Sequence, residues 1–92
     1  MDHFLPSNLK HLRGLKGQPQ DVVAGALGVT RSSYAGYERG AAEPKLDVLL
    51  AMGAYYRLPL DILLKYNLDD WANSEVERLQ RTAQADAADL LL

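Results

Sequence analysis

One stretch constrains everything else this chain can do. Residues 20–40, QDVVAGALGVTRSSYAGYERG, are divided by glycines and a threonine into two short helices joined at a tight turn. Gln20–Leu27 puts Val23, Ala24 and Leu27 on one face at the i, i+3, i+4 spacing of an amphipathic helix. Gly28 ends that helix, because glycine takes the left-handed backbone conformation without steric cost. Val29 supplies an apolar plug at the corner. Thr30 is suited to cap the next helix, its hydroxyl accepting a bond from a backbone N–H that would otherwise go unpaired. The second helix, Arg31–Glu38, turns Tyr34 inward. Tyr37 divides between core packing and an outward hydroxyl, Arg31, Ser32, Ser33, Ala35 and Gly36 are expected to face solvent, and Gly40 closes the helix.

Two short helices, a small Ala24 permitting close approach and a glycine turn before a polar second helix describe a helix-turn-helix. The pattern resembles the phage-repressor/Cro-type (XRE) family of DNA-binding domains. NLKHLR (8–13), PQDVVAGALGVTRSSYAGYERG (19–40) and EPKLDVLLAMGAYYRLPLDILL (43–64) carry the resemblance, in the family's order and spacing. It implies an all-α fold, a five-helix repressor-like bundle over residues 1–67, to which the chain's own pattern adds a C-terminal amphipathic helix over 68–92. The function it implies is that of a sequence-specific transcriptional regulator of repressor type, binding double-stranded DNA as a homodimer and needing no cofactor. The alternative, to which Gly36, the Ala41–Glu43 loop and the acidic balance point, is a protein-interaction module that has kept the fold and lost DNA binding.

The remaining elements follow from local signals. Pro6–Ser7 suits a helix start with Ser7 as cap, giving a first helix over Asn8–Lys16 with Leu9, Leu12 and Leu15 inward and Gly17 at its end. Pro19 sits at the entrance of the next helix, where its missing N–H costs nothing. Past the Ala41–Pro44 loop, a fourth helix is predicted over Leu46–Arg57, with Leu46, Leu49, Leu50, Gly53 and Tyr56 as inward candidates. Gly53 points to a close helix–helix contact. Leu58–Pro59 breaks the run, and Leu60–Lys65 forms a short fifth helix. Residues 69–92 read as one long helix with acids at its start, anchored by Trp71 and striped by Val76, Leu79, Ala83 and Leu90. That stripe is too narrow to stand alone. It fits a dimer interface, a toxin-type protein partner or the chain's own bundle, and a frayed tail is the remaining alternative.

The resemblance assigns roles residue by residue. Arg31 and Ser32 match the first two positions of the recognition helix, which touch bases, with Ser33 next in line. Gln20 matches a glutamine that grips phosphate and braces the first base-reading side chain. Gly36, Tyr37, Arg39 and Lys45 complete the expected DNA face. Arg13 and Glu38 match a structural ion pair between the first helix and the end of the third. The chain also departs from the pattern: Ala35 and Gly36 stand where relatives carry long polar side chains, Arg39 replaces the usual asparagine, and Glu43 would face phosphates unfavourably. These departures predict weak binding per monomer, and so a need to dimerise.

Composition bounds the alternatives. Ninety-two residues with 48% apolar content make one small domain, and with no cysteine neither disulfides nor thiolate-bound zinc can brace it. Residues 1–66 carry eight Lys/Arg against six Asp/Glu, whereas 67–92 carry two against six, so the front is mildly basic and the tail acidic. No apolar run is long enough to span a bilayer, and MDHFLPSNLK lacks a signal-peptide pattern, which makes a cytoplasmic protein without a membrane partner the expectation. His3 and His11 have no acidic or thiol companions at ligand spacing, and there is no nucleophile–base set or glycine-rich phosphate loop. Metal binding and enzymatic chemistry are therefore disfavoured.

Overall fold

A computed structural model describes the backbone of residues 3–91 and the side chains of residues 3–82. Among these lie six α-helices and one 3-10 turn: α1 (Leu5–Lys16), α2 (Gln20–Leu27), α3 (Arg31–Arg39), α4 (Leu46–Tyr56), α5 (Leu60–Lys65), the turn Leu68–Asp70, and α6 (Asn73–Leu91). The all-α expectation holds. α1 packs on α3 and α5, α2 packs on α3 and α4, and Leu9, Leu12, Val23, Ala24, Tyr34, Met52, Tyr56 and Leu63 meet in the core.

α1 starts earlier than its sequence suggests. Leu5 is almost fully buried, and burying it draws the first turn into the helix, with Pro6 tolerated there because no intrahelical N–H is required. Ser7 is therefore not the cap; its hydroxyl donates to the Phe4 carbonyl at 3.2 Å. Leu15, expected inward, is 41% exposed because successive three-residue steps from Leu9 turn it off the buried row. Asn8 instead lies wholly inside. Its amide nitrogen donates to the carbonyls of Leu63 at 2.8 Å and Tyr66 at 2.7 Å, and its oxygen accepts from the Leu68 N–H at 3.0 Å. The bonds a buried amide needs to offset its desolvation are thus drawn from the last turn of α5 and the chain just after it.

The helix-turn-helix forms as its punctuation dictates. Gly28 has φ 74°, and the Val29 N–H reaches back to the Ala24 carbonyl at 3.0 Å, closing α2. The Thr30 hydroxyl accepts from the Ser33 N–H at 3.1 Å and caps α3, which runs one residue beyond Glu38.

In α4 the buried face differs from the expected one. Met52, Gly53 and Tyr56 are buried, whereas Leu46 and Leu50 are 70% and 56% exposed. The helix is apolar on nearly every side, so spacing alone does not select the inward face, and Met52 and Tyr56 are centred about a third of a turn from Leu46 and Leu50. α4 ends at Tyr56, with Arg57 outside it in the left-handed conformation at φ 55°. Gly53 does mark a close approach, to the α4–α5 connection: an added Cβ would lie 3.0 Å from Leu60 Cδ2 and 3.2 Å from the Leu58 carbonyl oxygen.

The segment after α5 is part of the same core. Leu68 and Val76 are fully buried, Leu79 packs against them, and Gln80 donates to the Tyr56 carbonyl at 2.8 Å. His11 Nδ1 lies 2.8 Å from Asp69 Oδ1, and the Tyr66 and Trp71 rings meet at 5.8 Å. The helix expected from residue 69 is preceded by the 3-10 turn and starts at Asn73. Of the alternatives for this stripe, Val76 and Leu79 take the chain's own bundle: Val76 is fully buried in the core and Leu79 is partly buried against it. The side chains of Ala83 and Leu90 lie outside the described residues.

Candidate nucleic-acid interface

α3 presents its N-terminal turn and one side to solvent because Tyr34 holds the opposite side. Tyr34 is fully buried, with its hydroxyl 3.4 Å from that of Tyr56, and burial pushes both phenols up from their ordinary range. Arg31, Ser32, Ser33 and Arg39 are exposed. Arg31, Ser32, Ala35 and Arg39 line one groove of about 510 Å³ together with Gln20 of α2. A neighbouring groove of about 530 Å³ runs from Arg31 and Gln20 past Asp21 and Pro19 to Arg13. Gln20 and Arg31 border both.

The base of this surface is an ion pair. Arg13 Nε donates to Glu38 Oε2 at 2.7 Å and Nη2 to Oε1 at 3.1 Å, while Nη1 donates to the Gln18 carbonyl at 3.0 Å. Gln20 Nε2 adds a further bond to Glu38 Oε1 at 3.1 Å. Burial alone would push the Glu38 carboxyl up, but the donors Arg13, Tyr34 and Gln20 outweigh it and hold the group below its ordinary value. The matching Glu38 bond raises Arg13. The pair joins α1 to the end of α3 and the Gln20 bond joins α2 to the same carboxylate, so α3 is fixed against both helices that precede it.

Other expected residues fall differently. Gly36 does not face outward: the Ala41 N–H bonds the Gly36 carbonyl at 2.9 Å, and this folds Ala42 over the glycine, 3.8 Å from where a Cβ would stand. Tyr37 is half-buried against the core. Ser33 remains exposed, but its hydroxyl accepts from Thr30 at 2.9 Å as part of the cap. Lys45 is exposed immediately before α4 and borders neither groove. Gln20 is tied to Glu38, a link that the sequence pattern of a phosphate-gripping glutamine does not convey. Ala35, expected to face solvent but given no part in the DNA face, lines the groove; the i, i+4 relation to Arg31 is the signal that marks it.

Residues 7–63 match the helix-turn-helix domain family. The chain belongs to this family. Its relatives include phage and prophage proteins. It is 25% identical over 94% of its length to the cryptic phage CTXphi transcriptional repressor RstR of Vibrio cholerae, covering 80% of that protein. It is 39% identical over 71% of its length to a prophage-derived helix-turn-helix transcriptional regulator, YonR of Bacillus subtilis, covering 65% of that protein. A second Bacillus subtilis regulator, YqaE, is 40% identical over 63% of the chain and is covered over half its own length, 50%. In structure, the helix-turn-helix chain is similar to a transcriptional regulator from Listeria innocua, with a TM-score of 0.67, 21% identity, and coverage of 98% of this chain and 88% of the other. The named relatives are regulators of transcription and not enzymes.

Proposed function

We propose that this chain is a sequence-specific DNA-binding regulator of transcription, of repressor type, that reads the major groove with α3 as a homodimer. The observation that carries the proposal is the solvent-facing row of Arg31, Ser32, Ala35 and Arg39, gathered with Gln20 in one groove on a helix braced from behind by Arg13–Glu38. A single α-helix fits the major groove of B-DNA, and side chains at its N-terminal end reach base edges. Arg31 would bond a guanine through O6 and N7, with Ser32 a sequence-tolerant donor or acceptor. Arg39 and Lys45 would meet phosphates, each such contact adding about one unit of salt slope.

The homodimer has its support in exposed apolar surface. Leu46 and Leu50, one helical turn apart on α4, remain 70% and 56% exposed, and Ala54 extends the same side. Two half-sites read together would lie about 34–36 Å apart on one face of the DNA. A toxin or other protein seated on α6 has less support, since Val76 is already covered and Leu79 partly so.

Selection from a random-sequence duplex pool at two salt concentrations, with Arg31→Ala alongside, tests the proposal. A two-fold-symmetric site, weakened by salt and lost in the variant, is the expected result. Equal behaviour of the two proteins would overturn it. For the dimer, Leu46→Glu should convert a dimeric species to a monomer in sedimentation; an unchanged mass would remove α4 from the interface.

A further inference from the structure

We propose that the Ala35 methyl selects the 5-methyl group of a thymine, about two base pairs from a guanine read by Arg31. The proposal rests on the DNA-binding reading above and specifies what that surface recognises.

Arg31, Ala35 and Arg39 follow one another at four-residue intervals, so they form a single row along α3. All three line the same groove, and Ala35 is the sole apolar residue of the five that do. The other small residue of the helix centre, Gly36, is closed off by Ala42 and offers nothing outward. The middle of the reading face is therefore one half-exposed methyl group set between two guanidinium-bearing side chains. It can neither donate nor accept a hydrogen bond, so it cannot distinguish the polar base edges by bonding to them. Thymine alone places an apolar group, its C5 methyl, in the major groove, and alanine is among the residues whose size suits contact with it.

The register follows from helix geometry. Four residues advance an α-helix by about 6 Å, and base pairs follow one another at about 3.4 Å. Two successive positions in the row thus fall about two base pairs apart. The short side chain also lets α3 sit deeper than a long polar residue at 35 would allow, which brings Arg31 closer to the groove floor.

The test uses the full chain and the half-site recovered from the random pool. Each thymine is replaced in turn by uracil, which removes only the methyl group. Uracil at the thymine two base pairs from the Arg31-dependent guanine should weaken binding about four-fold, the value of one buried methyl-sized group. In Ala35→Gly the thymine and uracil duplexes should bind equally; comparing the two duplexes within each protein cancels any effect of the substitution on folding. A site that depends on Arg31 but tolerates uracil at every position overturns the proposal and leaves the DNA-binding reading standing. The same holds if the uracil penalty survives in Ala35→Gly or if the recovered site has no thymine at that spacing. If no site is recovered, or Arg31→Ala binds as the parent does, the DNA-binding reading fails and this inference falls with it.

Discussion

Arg13 and Glu38, separated by 25 residues in sequence, are joined by two parallel N–H to oxygen bonds of 2.7 and 3.1 Å. The Glu38 side chain is only 4% exposed, against 20% for Arg13, so the two ends of the pair are unequal. Removing Arg13 leaves a nearly buried carboxylate with the Gln20 amide and the Tyr34 hydroxyl as its remaining donors. Arg13→Ala should therefore cost about 3 kcal/mol, the lower end of the range for breaking a buried pair, because Arg13 is partly solvated. Urea unfolding monitored by circular dichroism measures it; a loss below about 1 kcal/mol would mean that the pair behaves as a surface bridge.

The same carboxyl sets an acid limit. Glu38 is held below the ordinary value of 4.5, so its folded form binds a proton less readily than the unfolded chain does. Its contribution is complete above that ordinary value and is lost as pH falls through the lower folded one. Stability should drop on acidification below about pH 4.5, and Glu38→Gln should flatten that part of the profile. Unfolding midpoints collected between neutral pH and about pH 3 check the slope.

Two glycines should answer the same substitution with opposite sign. At Gly36 an added methyl meets Ala42 Cβ at 3.8 Å and Arg39 Nη2 at 4.0 Å, which is ordinary contact. Gly36→Ala should stabilise the protein by about 0.5–1 kcal/mol through helix propensity and a less flexible unfolded chain. Since Gly36 is covered, DNA affinity should stay within about two-fold, well inside the cost of one lost base contact. At Gly53 the methyl would press on Leu60 and on the Leu58 carbonyl, at 3.0 and 3.2 Å, and backbone gives way poorly. Gly53→Ala should destabilise by about 1 kcal/mol net, overpacking exceeding the propensity gain. Thermal unfolding of both variants side by side decides the signs.

Asn8→Ala removes one buried amide and leaves three backbone groups, on Leu63, Tyr66 and Leu68, without their partner. The cost should be about 2–4 kcal/mol, since unsatisfied buried groups lose their full hydration. Trp71, the single tryptophan, sits just beyond this anchor against Tyr66, so its emission should shift towards that of a solvated indole before global unfolding. An unchanged spectrum with a small loss of stability would show that the 66–68 segment does not depend on Asn8.

Sequence was a good guide wherever structure is punctuated locally. Gly28, Thr30 and Gly40 bound α2 and α3 by backbone conformation and capping, which act within a few residues, and the Arg13–Glu38 pair was visible through resemblance. It was a poor guide wherever the partner is distant or absent from the pattern. α4 is apolar all round, so which side goes in depends on where α2 and α5 stand. Asn8 looks like an ordinary polar helix residue because its three partners lie 55 to 60 positions away. Gly36 is hidden by a loop whose course no helical periodicity reports. The stripe on α6 demands a covering surface without naming it, and Val76 finds one in the same chain.

The segment that matches the family stops at residue 63, but the interior does not close there. Leu68 and Val76, each wholly enclosed, act as a stopper seated from outside the shared module. Trimming the protein to its family-like portion would remove both from the common core, and the remnant would be a bundle with an open end. The block that matches the domain family is thus shorter than what folds. Residues 68–79, beyond the family match, are thereby bound by the same packing constraints as the helix that is proposed to meet DNA.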